Sequence, residues 1–303
     1  MPTFVRGPVE VSVPATSANL GPGFDSLGIA LGLRDVLVGE VTDESGFEVT
    51  VNGHGADEVP LDETHLVYRA MCEAFAEMGC EVPGVRLACE NRIPHSRGLG
   101  SSSAAIVGGL CLARGLVAGG SLLMDDDAVF GLAARLEGHP DNVAPAFYGG
   151  FTIAISDGES FKATVVAVDP RVRVVAFVPP DPLRTSVARG LLPEHVPHAD
   201  AAANAARAAL LVVALRERPE LLPAATEDFL HERYREPAMP ESLTLVRDLR
   251  RAGVAAVVSG AGPTVVAFVD SSTASDVRRK GPAGWDVLDL AVDPTGAKVL
   301  SGA

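Results

Sequence analysis

The chain has 303 residues, 47% of them hydrophobic and 21% charged, with a formal net charge of −14. That length accommodates two domains or one large one, and the composition excludes extended disorder. An acidic chain gains nothing from counterion release on a phosphate backbone. Its lysines are confined to Lys162, Lys280 and Lys298 and its arginines are scattered, so no basic stripe makes nucleic acid an expected partner.

Val9, Val11 and Val13 alternate up to Pro14 and predict an opening strand, followed by a loop through Gly21 and Gly23. Strands follow over residues 27–41 and 47–51, and Thr64 is placed to cap a helix in which Leu66, Ala70, Phe75 and Met78 recur at helical spacing up to Gly79. Alternation of Val85, Leu87 and Cys89 predicts a strand ending before Pro94. A segment over 102–117 is apolar on most faces and reads as a buried helix, with another over 125–137 and a strand over 151–155. A polar turn at 163–169 divides the chain into expected domains 1–165 and 166–303. The second holds a strand over 171–178, Ala- and Leu-rich helices over 199–216 and 241–251, strands over 255–258 and 265–269, a short helix near Ala274 and a last strand over 285–290. Both halves are α+β.

The longest uncharged run, 18 residues between Arg251 and Asp270, is interrupted by Gly260, Gly262 and Pro263, so it predicts two buried strands around a turn and no membrane partner. The N-terminus has no basic region followed by an apolar stretch, which gives secretion no support and makes a cytoplasmic protein the expectation. Cys72, Cys80, Cys89 and Cys111 form no Cys-x-x-Cys pair and predict buried thiols in a reducing compartment. His195 and His198, beside Pro193 and Pro197, read as a loop feature.

Gly-x-Gly triplets stand at Gly21-Pro22-Gly23, Gly98-Leu99-Gly100 and Gly260-Ala261-Gly262. Ser103 occupies the place of a third Rossmann glycine, and no Gly-Lys-Ser or Gly-Lys-Thr is present, so neither common nucleotide motif applies. The middle triplet still has the chemistry of a phosphate cradle. Glycines let the backbone approach an anion, and the loop feeds a helix N-terminus whose unpaired N–H groups favour phosphate, with Ser101, Ser102 and Ser103 offering hydroxyls. A plain serine cap after an ordinary loop is the alternative.

The run Pro94-His95-Ser96-Arg97-Gly98-Leu99-Gly100-Ser101-Ser102-Ser103-Ala104-Ala105 resembles the ATP-binding signature of the GHMP kinases. The stretch from Pro14 through Asn19 and Asp25 to Gly28, the segment Glu137-Gly138-His139-Pro140-Asp141-Asn142-Val143-Ala144-Pro145, and Ser259-Gly260-Ala261-Gly262-Pro263-Thr264 follow in that family's order, with closest similarity to its homoserine-phosphorylating branch. The resemblance spans almost the whole chain. It implies a two-domain α+β GHMP-kinase-like fold with a left-handed βαβ unit in an N-terminal ATP-binding domain, a ferredoxin-like C-terminal domain, and a site between them. His65 stands where these kinases commonly carry an Asn near the adenine, Ser103 where alanine is usual, and Arg233 where proline is common.

By resemblance, residues 94–103 would bind ATP as co-substrate, and Glu137 with Ser101 or Ser102 would hold Mg²⁺. Arginine forks suit a carboxylate and Asp or Asn oxygens suit an ammonium. The resemblance implies Arg189 and Arg235 on the carboxylate of L-homoserine, with Asn19, Asp25, His139 and Asn142 completing the pocket. Asp25 would either hold the ammonium or take the hydroxyl proton, and Thr185 would help to position the reacting groups. The implied activity is ATP-dependent phosphorylation of L-homoserine to O-phospho-L-homoserine on the route to threonine, by a cytoplasmic enzyme for which a homodimer is one candidate assembly. Another GHMP-type kinase acting on a sugar or mevalonate-pathway acceptor, or a nucleotide sensor without turnover, are the alternatives.

Overall fold

A computed structural model describes residues 3–158 and 160–301; the outer limits of the two expected domains, Met1 and Ala303, lie outside the described residues. The first layer is a seven-stranded sheet of β1 (Val9–Ala18), β2 (Leu27–Thr42), β3 (Phe47–Gly53), β4 (Gly84–Asn91), β5 (Phe151–Ser156), β6 (Phe161–Val166) and β11 (Lys298–Ser301), ordered β11-β1-β2-β4-β3 with β5 on the start of β2 and β6 on β5. Only β3 and β4 pair in parallel, joined through α1 (Leu66–Glu77), which is the βαβ unit. Helices α2 (Ser101–Leu116), α3 (Gly120–Leu123), α4 (Asp126–Glu137) and α5 (Val143–Tyr148) complete this half.

Helix α2 is buried on most of its faces because it is wedged between α1 and the sheet. A Cβ on Gly109 would stand 2.4 Å from the Val67 carbonyl of α1, and one on Gly108 2.3 Å from Leu37 of β2, so both sides of the wedge depend on glycine. Ile106, Val107, Leu110 and Leu112 fill the core there with Val11, Val13 and Met71.

The second sheet, ordered β10-β7-β9-β8, consists of β7 (Arg173–Val178), β8 (Ala255–Val258), β9 (Val265–Val269) and β10 (Asp286–Ala291), all antiparallel. Helices α6 (Thr185–Gly190), α7 (His198–Arg216), α8 (Leu222–Ala225), α9 (Glu232–Arg235) and α10 (Pro240–Arg251) lie between β7 and β8 in the chain, and α11 (Ala274–Arg278) lies between β9 and β10. This is a βαββαβ chain with its strands in spatial order 4-1-3-2, the ferredoxin-like arrangement. Leu243, Val246 and Leu249 recur at helical spacing along α10 and pack with Ala256, Val258 and Val265 of the sheet.

Several elements differ from the sequence expectation. Thr64 does not cap α1. Its N–H and hydroxyl are both donated to Asp62 Oδ1, at 2.8 and 2.5 Å, so His65 takes the cap position and the helix ends at Glu77. The start of the segment read as a polar turn belongs to β6, an outer strand in which Phe161, Ala163 and Val165 alternate with Lys162 and Thr164 and no side chain is fully buried. It reaches the division expected between 165 and 166, and β11 crosses back over that division to pair with β1. No helix among the described residues is long and apolar enough to cross a membrane.

Candidate active site

The second and third glycine triplets, far apart in sequence, meet beside the end of β1. Ser259 Oγ donates to the Gly98 carbonyl at 2.6 Å and lies 2.8 Å from Ser17 Oγ, while the Gly260 N–H reaches the Ala18 carbonyl at 3.0 Å. The Gly260 carbonyl accepts from Asn19 Nδ2 at 2.8 Å and from Arg235 at 2.9 Å. Gly98 (φ 78°) and Gly100 (φ 71°) are left-handed, and a Cβ on Gly98 would stand 2.4 Å from the Ser259 carbonyl. A further triplet, Gly53-His54-Gly55, turns the chain at the end of β3 and lines neither cavity described below.

Between these loops lies a cavity of about 200 Å³, lined on one side by Gly98, Gly100, Ser101 and Ser102 at the start of α2 and on the other by His139, Thr185, Arg189 and Arg235. Gly100 is the N-cap of α2 and offers no side chain to cap it, so the first N–H groups of a 16-residue helix open on the cavity. Glu137 ends α4 beside them. Its Oε1 accepts from Ser102 Oγ at 2.6 Å and from Ser103 Oγ at 2.9 Å, and its Oε2 meets no donor among the described residues.

His139 Nδ1 lies 2.7 Å from Asp141 Oδ1, and its Nε2 is 3.9 Å from Glu137 Oε1. Burial opposes a charge on this imidazole, but the Asp141 hydrogen bond and the neighbouring carboxylates outweigh it and hold the pKa above the usual histidine value. Asp141 is buried and also accepts the Asn142 N–H at 3.1 Å. Asn142 lines the cavity with its Oδ1 engaged by Thr16.

Two guanidinium groups face the same space. Arg189 grips Asp25 with both nitrogens, at 2.7 and 3.1 Å, and this fork raises its already high pKa. Arg235 is 1% exposed, donates to the Gly260 carbonyl and to His231 Nδ1, and leaves Nε without a partner. Burial, then the charge of Arg189, pushes its pKa down to about 10, so it remains cationic at neutral pH. His231 Nε2 is 2.9 Å from the Gly21 carbonyl, which fits an imidazole protonated there and accepting from Arg235 at Nδ1.

A second cavity, of about 220 Å³, opens on the far side of Ser96, Ser101 and Ser102. Its walls include Leu37, Val59, Val67 and Ala104, with Asp35, His65 and His95 as polar groups. Asp35 Oδ1 accepts the Arg92 and Ile93 N–H groups at 2.6 and 2.9 Å; burial outweighs these bonds and pushes the carboxyl up to about 6. His65 is 4% exposed with its Nδ1 unpartnered, and burial followed by repulsion from His95 lowers its pKa.

Within the segment expected to bind ATP, Ser96, Gly98, Gly100, Ser101 and Ser102 reach the first cavity, and His95 reaches the second. Four others do not present side chains there. Pro94 and Leu99 are buried in the core beneath the loop, Ser103 is turned onto Glu137, and Arg97 is drawn away to donate to the Pro179, Pro180 and His95 carbonyls. Asn19 lines the cavity, but its Oδ1 accepts the Asp25 N–H at 2.9 Å and its Nδ2 is held by Gly260, so its amide fixes the left-handed Asp25 (φ 53°) in place. Thr16, Asp141, His231 and Ser259 were not singled out by sequence as site residues. Thr16, His231 and Ser259 act through contacts separated by 126, 210 and 242 positions, for which local spacing carries no signal, whereas Asp141 acts on its neighbours His139 and Asn142 through a loop conformation.

A helix N-terminus that opens on a small polar pocket between two domains is what a small-molecule kinase with ATP as co-substrate requires. The comparisons are specific: residues 65–150 match the family model for the GHMP kinases N terminal domain and residues 199–287 that for the GHMP kinases C terminal domain. The chain belongs to the GHMP kinase family. It is 52% identical over 299 residues to the homoserine kinase of Streptomyces avermitilis, covering 99% of this chain and 98% of the relative. To the homoserine kinase of Mycolicibacterium smegmatis it is 49% identical over 301 residues, covering 96% and 94%. The crystal structure of homoserine kinase from Cytophaga hutchinsonii superimposes with a TM-score of 0.86 at 25% identity over 98% of this chain and 99% of that one. Mevalonate kinase from L. major, in complex with R-mevalonate, shares the fold at a TM-score of 0.76 and 15% identity, over 98% and 100%.

Proposed function

We propose that this kinase transfers the γ-phosphoryl group of ATP to the hydroxyl of L-homoserine, yielding ADP and O-phospho-L-homoserine, a step toward threonine in the cytoplasm. The observation that carries the reading is the pairing of Asp25 with Arg189 next to the buried Arg235. A zwitterion entering this pocket replaces the Asp25–Arg189 pair with pairings of its own: its ammonium takes Asp25, and its carboxylate takes Arg189 and Arg235. The unpartnered Arg235 Nε and the repulsion between two guanidinium groups both favour such an anion. Sugars and mevalonate lack the ammonium and leave Asp25 without its exchange partner.

The triphosphate would lie along the α2 N-terminus, with the base in the mostly apolar second cavity. The free Glu137 Oε2 and the hydroxyls of Ser101 and Ser102 form a hard-oxygen set of the kind magnesium uses when phosphates and waters complete its shell. Bound there, the metal would neutralise charge developing on the transferring phosphates.

Phosphoryl transfer with a largely dissociative transition state needs little deprotonation of the acceptor beforehand. With Asp25 paired to the substrate ammonium, the hydroxyl proton is lost late, to a phosphate oxygen and on to water, after the new P–O bond forms. Thr185, at the cavity wall, positions the hydroxyl or the γ-phosphate, and His139 and Asn142 border the reacting groups.

An ADP-release assay with homoserine, mevalonate and galactose side by side tests the reading. Magnesium- and homoserine-dependent ADP release well above that with either other acceptor is expected. Release only with mevalonate or galactose, or none with any acceptor, would overturn it.

A further inference from the structure

A carboxamide can present either its carbonyl or its NH₂ group to a reacting phosphate, and the choice sets the sign of the partial charge that the phosphate meets. At Asn142 this choice is made by Thr16. Thr16 lies in β1, is fully buried, and donates its main-chain N–H to the Leu99 carbonyl at 3.0 Å, which fixes the strand against the phosphate loop. Its Oγ1 donates to Asn142 Oδ1 at 2.8 Å and meets no other acceptor among the described residues. With the amide turned over, Thr16 would have to accept instead, and its own buried proton would go without a partner at a cost on the order of 1–3 kcal/mol. The network therefore holds Oδ1 inward. Asn142 Nδ2 is left on the cavity side, 3.9 Å from where a Cβ on Gly260 would stand, with no acceptor among the described residues.

We infer that Thr16 is a positioning residue that locks the Asn142 amide with its N–H donors toward the transferred phosphoryl group. The inference rests on the kinase reading above and adds a residue to it. Donors fixed in place before the reaction stabilise charge that develops during transfer, whereas the opposite orientation would aim a carbonyl oxygen at the anionic phosphoryl oxygens. Nearby geometry depends on the same contact, because a Cβ on Gly100 would stand 1.9 Å from Thr16 Oγ1 and 3.2 Å from Asn142 Oδ1.

The test is steady-state kinetics with ATP and homoserine on Thr16→Val, Thr16→Ser, Asn142→Ala and the Thr16→Val/Asn142→Ala double variant. Valine keeps the shape of threonine and removes only the donor. Thr16→Val is expected to lower kcat about ten-fold and Asn142→Ala about a hundred-fold. The KM for ATP should stay near the wild-type value in both, Thr16→Ser should recover most of the lost turnover, and Thr16→Val should add almost nothing once Asn142 is gone. If Thr16→Val does not fold, Thr16→Ala serves in the same cycle. Wild-type kcat in the valine variant, a serine variant as slow as the valine one, or an equal loss with and without Asn142 would each overturn the assignment. Failure of the homoserine reading would show separately, as wild-type protein that phosphorylates a different acceptor, and the same four variants would then be compared on that acceptor.

Discussion

At Glu137 a single carboxylate divides its two oxygens between different tasks. Oε1 is occupied by the hydroxyls of Ser102 and Ser103, and Oε2 is left open to the cavity. Glutamine has the same shape and can still accept both hydroxyl donors through its carbonyl, so Glu137→Gln removes charge and little else. Turnover should fall by about a hundred-fold or more, with the melting temperature nearly unchanged. Unaltered turnover at limiting magnesium would take Glu137 out of the metal shell. The sequence singled out Glu137 from its motif, yet the motif also contains Asp141, whose hydrogen bonds to His139 and the Asn142 N–H appear only once the loop after α4 is folded. Arg97 shows the reverse. It sits inside a recognised motif, but its side chain is turned toward carbonyls beyond the end of β7.

The element that matters most is the loop of residues 94–100 with the helix it starts. Its glycines read as turn residues or as a phosphate cradle, and the fold places Gly100 at the N-cap of α2, on the wall of the first cavity. Gly100 is left-handed, and any Cβ there would collide with Thr16 behind the loop. Gly100→Val is therefore expected to lower the melting temperature and also to weaken ATP binding at least ten-fold, through displacement of the loop and strain at positive φ. Calorimetric titration of the variant below its melting temperature checks this. A Kd near the wild-type value would separate the loop from the nucleotide. The same element shows why the predicted cap of α1 was misplaced: Thr64 has a capping side chain, but Asp62 two residues earlier captures it. Two local hydrogen-bonding options competed, and the Asx turn won.

Over the whole molecule, the last described strand returns to the first, because β11 pairs with β1 in the first sheet. Arg34 secures that return. It donates to Ser12 Oγ and the Ser12 carbonyl at 2.8 Å each, to the Gly296 carbonyl at 2.6 Å, and to Asp293. Burial would raise the Asp293 pKa, but bonds from Thr295 and Arg34 outweigh it and hold it below the usual carboxylate value. A lowered carboxyl pKa stabilises the fold fully above the unfolded value of about 3.9, and the contribution is lost as pH falls through the folded value. Arg34→Met should therefore destabilise the protein by about 2 kcal/mol at neutral pH and lose part of that difference in acid. Urea unfolding at pH 7 and pH 3 measures both, and an equal destabilisation at the two pH values would count against the ion pair.

The sequence by itself determined the α+β character of both halves, the buried helix behind the glycine loop and, through four ordered motifs, the kinase family. These depend on periodicity, turn chemistry and contiguous segments, all of which are local. It did not reveal β6, a short outer strand with no fully buried side chain, or β11, whose pairing with β1 spans nearly the whole chain. Only the tertiary structure decided that Asp25 and Arg189 neutralise each other, that Asn19 serves the backbone, and that Thr16 sets the direction of an amide 126 positions away. A hydrogen bond is decided by distances of a few tenths of an ångström and by which competing partner lies nearest, and neither is fixed until both sheets have closed around the site.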